Sequence, residues 1–98
     1  MNVISKPGLK KLIVKHPEAE AELLRWYKAA RLARWTSLKD VRGTFASTDK
    51  VGIVLIFNIL QNRLRLIVAA FFPSQRLYIK ALMPHKEYDR REWMKWAR

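Results

Sequence analysis

Hydrophobic residues at the start of the chain follow a strand pattern and then a helical one. A short β-branched stretch at residues 2–4 predicts a strand, and apolar residues then recur every three or four positions over residues 9–13, with lysines on the remaining face. We expect Ser5 to cap this helix and Pro7 to lie in its first turn. The pair His16-Pro17 ends the pattern, because a residue that precedes proline is disfavoured in the α conformation.

A second helical pattern starts at Pro17. Its opening turns are acidic and its later turns are basic, which is the polarity that the helix dipole favours. The predicted buried stripe of this helix consists of Ala19, Leu23, Trp26, Tyr27, Ala30 and Ala33. Ser37 and Asp40 then have the spacing of a capping box, and Gly43 has the place of a helix C-terminal stop. A short third helix is therefore expected, followed by a loop at residues 44–50.

The spacing of apolar residues changes beyond Gly52. Three runs rich in β-branched and aromatic residues, at 53–59, 63–72 and 75–83, are separated by short turn segments and predict an antiparallel three-stranded meander. After Pro84 a helical pattern returns over residues 86–97. A short N-terminal strand, a two-helix hairpin, the meander and a C-terminal helix are expected to form a single domain over residues 1–98.

Alternation along the strands predicts a basic face on the meander. A tight turn at Pro73-Ser74 would set Lys80 opposite Ile67 and Leu82 opposite Arg65, which gathers the cations on one side of the sheet. The predicted basic face carries Arg63, Arg65, Arg76, Tyr78 and Lys80. The predicted core face carries Leu64, Leu66, Val68, Leu77, Ile79, Ala81 and Met83. His85, Lys86 and Tyr88 follow at the end where the third strand returns to Arg65.

The charge of the chain is strongly unbalanced. Twenty Lys and Arg residues against 8 Asp and Glu give a formal net charge of +12 over 98 residues. Such a charge favours a polyanionic partner, because each phosphate that Lys or Arg neutralises releases a counterion; nucleic acid is the leading candidate, ahead of an anionic membrane or an acidic protein. Hydrophobic residues make up 50% of the chain, which supplies one core and excludes a disordered basic tail.

The residue inventory excludes several kinds of site. No cysteine is present, so disulfides, Cys-based zinc sites and thiol nucleophiles are excluded, and a reducing cytoplasm is the expected location. The longest apolar run, residues 66–72, is too short to span a bilayer, and the N-terminus lacks the apolar core of a signal peptide. With only His16 and His85 as histidines, no metal-ligand spacing exists. We expect no cofactor, no metal and no membrane partner.

The residues of the basic face fit two functions. Cleavage of RNA by its own 2′-hydroxyl needs a base, donors for the pentavalent phosphate and an acid for the leaving 5′ oxygen, and Arg, Lys, His and Tyr supply all of them without a metal. A basic sheet that bears a tyrosine equally describes a non-catalytic RNA-binding surface, where Tyr and Arg stack on bases. Spacing alone leaves binding and cleavage equally open.

Three segments of the second half of the chain form a recognisable signature: residues 57–65 (Phe-Asn-Ile-Leu-Gln-Asn-Arg-Leu-Arg), Tyr78-Ile79, and residues 85–89 (His-Lys-Glu-Tyr-Asp). This signature resembles that of HigB-type toxins, which belong to the RelE/ParE superfamily of toxin–antitoxin modules. Upstream, Trp35, Asp40, Phe45 and residues 46–51 are similar to the family pattern as well. The resemblance implies a RelE-like compact α+β domain. It also implies an mRNA interferase, an endoribonuclease that cleaves messages in the ribosomal A site and so inhibits translation.

The resemblance also implies roles for individual residues. By similarity, Arg65 stabilises the phosphate transition state, and His85 and Tyr88 are the acid and base candidates, without assignment of which is which. The implied RNA-binding residues are Arg63, Arg76, Lys80 and Lys86, through phosphate contacts, charge stabilisation or positioning. Asn58 and Asn62 match family positions too, and for them hydrogen bonding around the hairpin turn is favoured over contact with RNA.

The chain departs from the family pattern at two positions. Glycine is usual where Gln61 stands, so the hairpin turn is expected to differ in geometry. Threonine is usual where Pro84 stands. Proline fixes the backbone just before His85, and this either makes the approach to His85 rigid or displaces it from Arg65.

The implied partners and the alternative functions follow from the same resemblance. A toxin of this kind acts on mRNA and the ribosome, and it is held inactive by a cognate helix-turn-helix antitoxin, through which the complex contacts operator DNA. One alternative is a non-catalytic RNA- or ribosome-binding module, which gains weight if Pro84 holds His85 away from Arg65. The other is a partner-binding superfamily member, gyrase-directed or inactive, whose toxicity would arise without loss of mRNA.

Overall fold

The computed structural model describes residues 1–5 and 8–97, which form four α-helices and a five-stranded sheet. In chain order the elements are β1 (Asn2–Ser5), α1 (Leu9–Lys15), a 3₁₀ turn (Pro17–Ala19), α2 (Glu20–Leu32), α3 (Leu38–Thr44), β2 (Asp49–Val51), β3 (Val54–Ile59), β4 (Leu64–Phe71), β5 (Arg76–Pro84), α4 (His85–Tyr88) and a 3₁₀ helix (Glu92–Trp96). The strand order is β1-β5-β4-β3-β2, with β1 parallel to β5 and all other neighbours antiparallel. The predicted α+β fold is confirmed.

Helices α1 and α2 cover one face of the sheet through the stripe that helical spacing predicts. Ala19, Leu23, Trp26 and Ala30 are buried, and Tyr27 and Ala33 are partly buried. The stripe packs on alternate residues of the three central strands: Leu55, Phe57, Ile59, Leu64, Leu66, Val68, Leu77, Ile79 and Leu82. Trp26 meets Phe57 edge to face, with ring centroids 5.3 Å apart. Burial of this stripe attaches the helical hairpin to the sheet.

Two local expectations in the first half of the chain are wrong. Ser5 is the last residue of β1 and does not cap α1; Gly8 holds the N-cap position, without a side-chain hydrogen bond. Pro7 lies outside the described residues. Gly43 lies inside α3, which continues to Thr44 because the φ of Gly43 is not in the left-handed region that ends helices. The cap of α3 itself is confirmed, since the Asp40 N–H donates to Ser37 Oγ at 3.4 Å.

The segment predicted as a loop at residues 44–50 ends in a strand. Asp49 pairs with Ile56 and Val51 with Val54, so β2 forms the outer edge of the sheet next to β3. The strand is only three residues long and exposed for most of its length, so it shows no alternation of apolar and polar residues. At the other edge, β1 is added parallel to β5. The meander is therefore the centre of a larger mixed sheet.

The register of β4 and β5 agrees with prediction only in the half next to the turn. Phe71 pairs with Arg76 and Val68 with Ile79, as a tight turn at Pro73-Ser74 predicts. A β-bulge at Lys80 then shifts the register, so that Ile67 faces Ala81 instead of Lys80, and Arg65 faces Met83 instead of Leu82. The extra residue also reverses the two faces of β5 beyond that point.

The bulge places Leu82 in the core under the helices and turns Ala81 and Met83 to the opposite face. The prediction that Ala81 and Met83 share a face with Leu77 is therefore wrong. On their face lies a second core, formed by Val54, Ile56, Ile67, Met83 and Trp93. The sheet is thus covered on both sides at its centre.

The C-terminal segment, predicted as one helix over residues 86–97, is instead divided into α4 and a 3₁₀ helix. Arg91 separates them in the left-handed conformation, with φ 62°. This break turns Trp93 down onto the sheet, where its side chain is 2% exposed and its indole N–H donates to the Tyr88 carbonyl at 3.0 Å. A continuous helix is lost because burying the large indole outweighs one strained residue.

The β3–β4 turn shows why glycine is the usual residue where Gln61 stands. Gln61 has φ 61°, a left-handed conformation that costs a residue with a Cβ about 1 kcal/mol. We expect Gln61→Gly to raise the free energy of unfolding by about 0.5–1 kcal/mol, since relief of strain exceeds the added chain entropy of glycine. Urea unfolding measures the change. Gln61→Ala is the control and should give no gain; equal effects of the two variants would contradict the strain argument.

Candidate functional site

The end of β4 and the start of α4 bring Arg65 and His85 together. Arg65 lies on the sheet face opposite the helices, and Nη2 of its guanidinium is 3.3 Å from Nδ1 of His85. Nη1 of Arg65 donates to the Asn62 carbonyl at 2.9 Å, and the His85 backbone N–H donates to the Arg63 carbonyl at 3.3 Å. Pro84 is the last residue of β5, in extended conformation. Its fixed backbone therefore delivers His85 to Arg65 and does not displace it.

The partners of His85 define its tautomer. A guanidinium has only N–H donors, so Nδ1 of His85 accepts from Arg65 and the ring proton lies on Nε2. Nε2 in turn is 3.4 Å from a carboxylate oxygen of Asp89, one helical turn further along the chain. The imidazole ring is oriented from both sides, by a cation at one nitrogen and an anion at the other.

The ring of Tyr88 lies against the guanidinium of Arg65, next to His85. The Cζ atom of Arg65 is 5.3 Å from the centroid of the Tyr88 ring, and the rings of His85 and Tyr88 are stacked at 6.5 Å. On its other side the Tyr88 ring stacks on Trp93, with centroids 5.0 Å apart. We refer to Arg65, His85, Tyr88 and Asp89 as the arginine–histidine cluster. Its floor is the second core, so burial of Trp93 positions Tyr88.

The environment of Tyr88 keeps its phenol protonated. Partial burial raises the pKa of Tyr88 above its ordinary value, the carboxylate of Asp49 raises it further, and the guanidinium of Arg65 acts in the opposite direction. At neutral pH the phenol is therefore a proton donor and not a base. Because the folded protein holds this proton more tightly than the unfolded chain, the associated stability is present below pH about 10 and is lost as pH rises further.

We expect the alkaline absorbance titration to show this shift. The component that Tyr88→Phe removes from the titration should be centred above pH about 10, the ordinary tyrosine value. Asp49→Asn should move that component to lower pH, because loss of the carboxylate charge favours the tyrosinate. A component centred below the ordinary value, or one unmoved by Asp49→Asn, would contradict the described environment.

Comparison with known proteins decides which family carries this cluster. Residues 19–91 match the family model of HigB_toxin, the RelE-like toxic component of a toxin-antitoxin system. The chain belongs to the HigB toxin family. The mRNA interferase toxin HigB of Escherichia coli (strain K12) is 30% identical to it over 92 residues, which cover 91% of this chain and 88% of that protein. The mRNA interferase HigB of Shigella flexneri matches with the same identity and coverage.

Family membership confirms the resemblance drawn from the sequence. The whole arginine–histidine cluster lies within the residues that match the HigB model. As a member of a family of toxic components, the chain has an antitoxin as its partner.

Two neighbours of the cluster, Asp49 and Asp89, are not among the site residues predicted from the sequence. Asp49 belongs to β2 and lies close enough to Tyr88 to raise its pKa, and Arg42 pairs with Asp49 at 3.8 Å. Asn58 is the β3 partner of Arg65, so the two side chains leave the same face of the sheet. Within the described residues the Asn62 group that forms a hydrogen bond to Arg65 is its backbone carbonyl, so the turn hydrogen bonding predicted for the side chains of Asn58 and Asn62 is not observed. Only Asp89 had a usable signal, its spacing of four from His85 on a helix.

The predicted RNA-binding residues lie in two separate places. Arg63, in the β3–β4 turn, and Lys86, on α4, are exposed beside the arginine–histidine cluster. Arg76 and Lys80 lie with Tyr78 on the other half of β5. The continuous basic face predicted from alternation is wrong, because the second core and the C-terminal segment divide it.

The described residues contain neither a cluster of metal-ligating side chains nor a membrane-spanning helix. Within 1–5 and 8–97 no group of three or more His, Asp or Glu side chains is arranged to hold a metal ion. No helix in the same ranges is long and apolar enough to cross a membrane.

Proposed function

We propose that this chain is an mRNA endonuclease, an mRNA interferase that inhibits translation as the toxin of its module. The observation that carries the proposal is the convergence of the Arg65 guanidinium, the His85 imidazole and the Tyr88 ring on the sheet surface. These are the groups that cleavage of RNA by its own 2′-hydroxyl requires. The activity in the names of the two relatives supports the same assignment.

Arg65 binds the scissile phosphate in this mechanism. The 2′-oxygen attacks phosphorus, the bond to the 5′-oxygen of the next nucleotide breaks, and the products are a 2′,3′-cyclic phosphate and a free 5′-hydroxyl. Negative charge accumulates on the phosphate oxygens in the transition state, and a guanidinium donates two parallel N–H bonds to such oxygens. Binding of the phosphate draws Arg65 away from Nδ1 of His85, which releases the lone pair of that nitrogen.

His85 serves as the base and Tyr88 as the acid. The lone pair on Nδ1 takes the proton of the attacking 2′-hydroxyl, and the carboxylate of Asp89 stabilises the imidazolium through the proton on Nε2. Tyr88 gives its proton to the leaving 5′-oxygen, a role that its raised pKa supports because the phenol stays protonated in the working pH range. No step in this scheme uses a metal ion.

The surroundings of the cluster suit a substrate presented on the ribosome. Arg63 and Lys86 are exposed next to Arg65 and His85 and contact the phosphates that flank the cut. A net charge of +12 concentrates the protein on ribosomal RNA before any specific contact forms. We propose that cleavage occurs in the A site, that the cognate antitoxin is a helix-turn-helix protein, and that operator DNA is bound only through the antitoxin complex.

Primer extension on a reporter mRNA tests the function. Wild-type protein is added to a reconstituted translation reaction and to the same mRNA without ribosomes. We expect cuts only in the presence of ribosomes, and we expect His85→Gln to remove them. The matched control is His16→Gln, which changes the other histidine of the chain, at the end of α1. That variant should cut like wild type.

The remaining outcomes separate the alternatives. Blocked translation with intact mRNA would contradict cleavage and would favour the non-catalytic module that binds RNA or the ribosome. Normal translation with intact mRNA would favour the partner-binding alternative. Equal cutting with and without ribosomes would show that the chain is an endonuclease that does not need the ribosome.

A further inference from the structure

The half of β4 and β5 farthest from the arginine–histidine cluster carries an exposed pair of aromatic rings. Phe71 is 40% exposed, and its ring meets that of Tyr78 edge to face at 5.6 Å. Phe71 is also the one aromatic residue among the exposed large hydrophobic residues of the described chain. Neither ring belongs to either hydrophobic core. The fold therefore gives this pair no packing role.

Two cations accompany the rings. The Nζ atom of Lys80 is 5.8 Å from the centroid of the Tyr78 ring, and the Arg76 side chain is exposed on the same strand. Strand alternation puts Lys80 on the same side as Tyr78, and Lys80 is also the bulged residue of β5. We refer to Phe71, Arg76, Tyr78 and Lys80 as the aromatic–basic patch.

The patch borders an open groove whose lining has no negative charge. The groove has a volume of about 420 Å³ and is lined by Phe71, Ser74, Arg76, Tyr78 and Lys80. Aromatic faces combined with nearby cations are the elements by which proteins hold single-stranded nucleic acid, because bases stack on the rings while phosphates pair with Lys and Arg. An acidic peptide would satisfy the two cations but would not need the exposed ring of Phe71.

We infer that the aromatic–basic patch is a base-stacking subsite for unpaired RNA. A nucleobase stacks on the exposed ring of Phe71, which Tyr78 supports edge to face, and the adjoining phosphates bind Arg76 and Lys80. Phe71 is six residues from Arg65 along β4, a distance of about 20 Å, so the bound nucleotide lies outside the dinucleotide that is cut. This inference rests on the proposed function in one respect, since it assumes that RNA is the ligand.

The binding test uses RNA that the protein does not cut. Fluorescence anisotropy measures the affinity of the wild-type chain for a 2′-O-methyl oligoribonucleotide, which has no free 2′-hydroxyl to attack the phosphate. We expect Phe71→Ala to weaken binding by about tenfold, as loss of one stacked base does. Phe71→Leu keeps the apolar volume but not the aromatic face and should lose nearly as much. Leu32→Ala, at a leucine 77% exposed on α2, is the matched control and should not weaken binding.

An abasic oligonucleotide separates stacking from charge. Arg76→Gln should weaken binding of the normal and the abasic oligonucleotide alike, because it removes a phosphate contact. Phe71→Ala should have no effect on the abasic one. Equal loss on both oligonucleotides, or no loss for Phe71→Ala on either, would overturn the subsite.

Crosslinking on the ribosome identifies the source of the RNA. Replacement of Phe71 by the photoreactive residue p-benzoylphenylalanine should yield a crosslink to mRNA or to ribosomal RNA, and primer extension on each distinguishes them. A crosslink to ribosomal protein alone would overturn the inference. The two proposals can fail separately. Base stacking without any cleavage of mRNA would contradict the nuclease but support the subsite. Cleavage of mRNA with unchanged binding by Phe71→Ala would support the nuclease but contradict the subsite.

Discussion

Arg65→Ala is expected to lower the rate of mRNA cleavage by at least about 100-fold, the usual cost of removing a group that stabilises transition-state charge. The guanidinium lies between His85 and Tyr88 and is the cation in contact with both. Arg65→Lys should restore little of the rate, because an ammonium group cannot make the paired N–H bonds that a guanidinium makes to phosphate. Single-turnover cleavage on programmed ribosomes measures the rate.

Arg31→Ala is the matched control for this loss. Arg31 also lies over a tyrosine ring, with its Cζ atom 5.6 Å from the centroid of Tyr27, but at the end of α2. The Arg31→Ala substitution removes the same charge and the same type of contact as Arg65→Ala, and it should leave cleavage near the wild-type rate. Substantial cleavage by Arg65→Ala would contradict the role of Arg65 in the cluster. An equal loss in both variants would show that net charge and not the cluster drives the reaction.

Gly52→Ala is expected to have the largest effect on stability. Gly52 has φ 58° in the β2–β3 turn, and a Cβ atom there would overlap the carbonyl oxygen of Ala97. That carbonyl accepts the Ile53 N–H at 3.1 Å, so the overlap falls on the contact that holds the C-terminal segment to the sheet. Backbone strain and lost packing together should lower the free energy of unfolding by about 3 kcal/mol, as measured by urea denaturation.

Gly43→Ala provides the opposite result within the same chain. Gly43 lies inside α3, with a helical backbone and no atom within 4 Å of an added Cβ. Alanine should therefore raise the free energy of unfolding by about 0.5–1 kcal/mol. A neutral Gly52→Ala would contradict the described docking of the C-terminal segment. Because Trp93 supports Tyr88, Gly52→Ala should also slow cleavage, whereas Gly43→Ala should not.

The helical hairpin could be predicted because α1 and α2 each bury one face only. Leu23, Trp26 and Ala30 follow helical spacing, and the turn-proximal register of β4 and β5 follows from the short connection at Pro73-Ser74. The far half of β5 could not be predicted in this way. Both faces of the sheet are buried there, so Leu82 and Met83 are equally apolar and no alternation reveals the bulge at Lys80.

Some residues of the candidate site could likewise be predicted from the sequence, and others could not. Resemblance to HigB-type segments identifies Arg65, His85 and Tyr88. His85 and Tyr88 are close in sequence on α4, and the pairing of β4 with β5 brings them to Arg65. Asp49 reaches Tyr88 only through the pairing of β2 with β3, a contact that depends on the completed sheet. The division of the basic face has the same origin. It requires the C-terminal segment to fold back over the sheet through the left-handed Arg91, which no local pattern indicates.

One measurement tests most directly the claim that the arginine–histidine cluster cleaves mRNA through the 2′-hydroxyl. A reporter mRNA is prepared with a single 2′-deoxy nucleotide immediately before a mapped cut, and is translated with the wild-type chain present. The proposed mechanism predicts no cut at that position, while cuts elsewhere in the same message persist. A cut at the deoxy position at the normal rate would contradict it, since no 2′-oxygen would then be available to attack the phosphate.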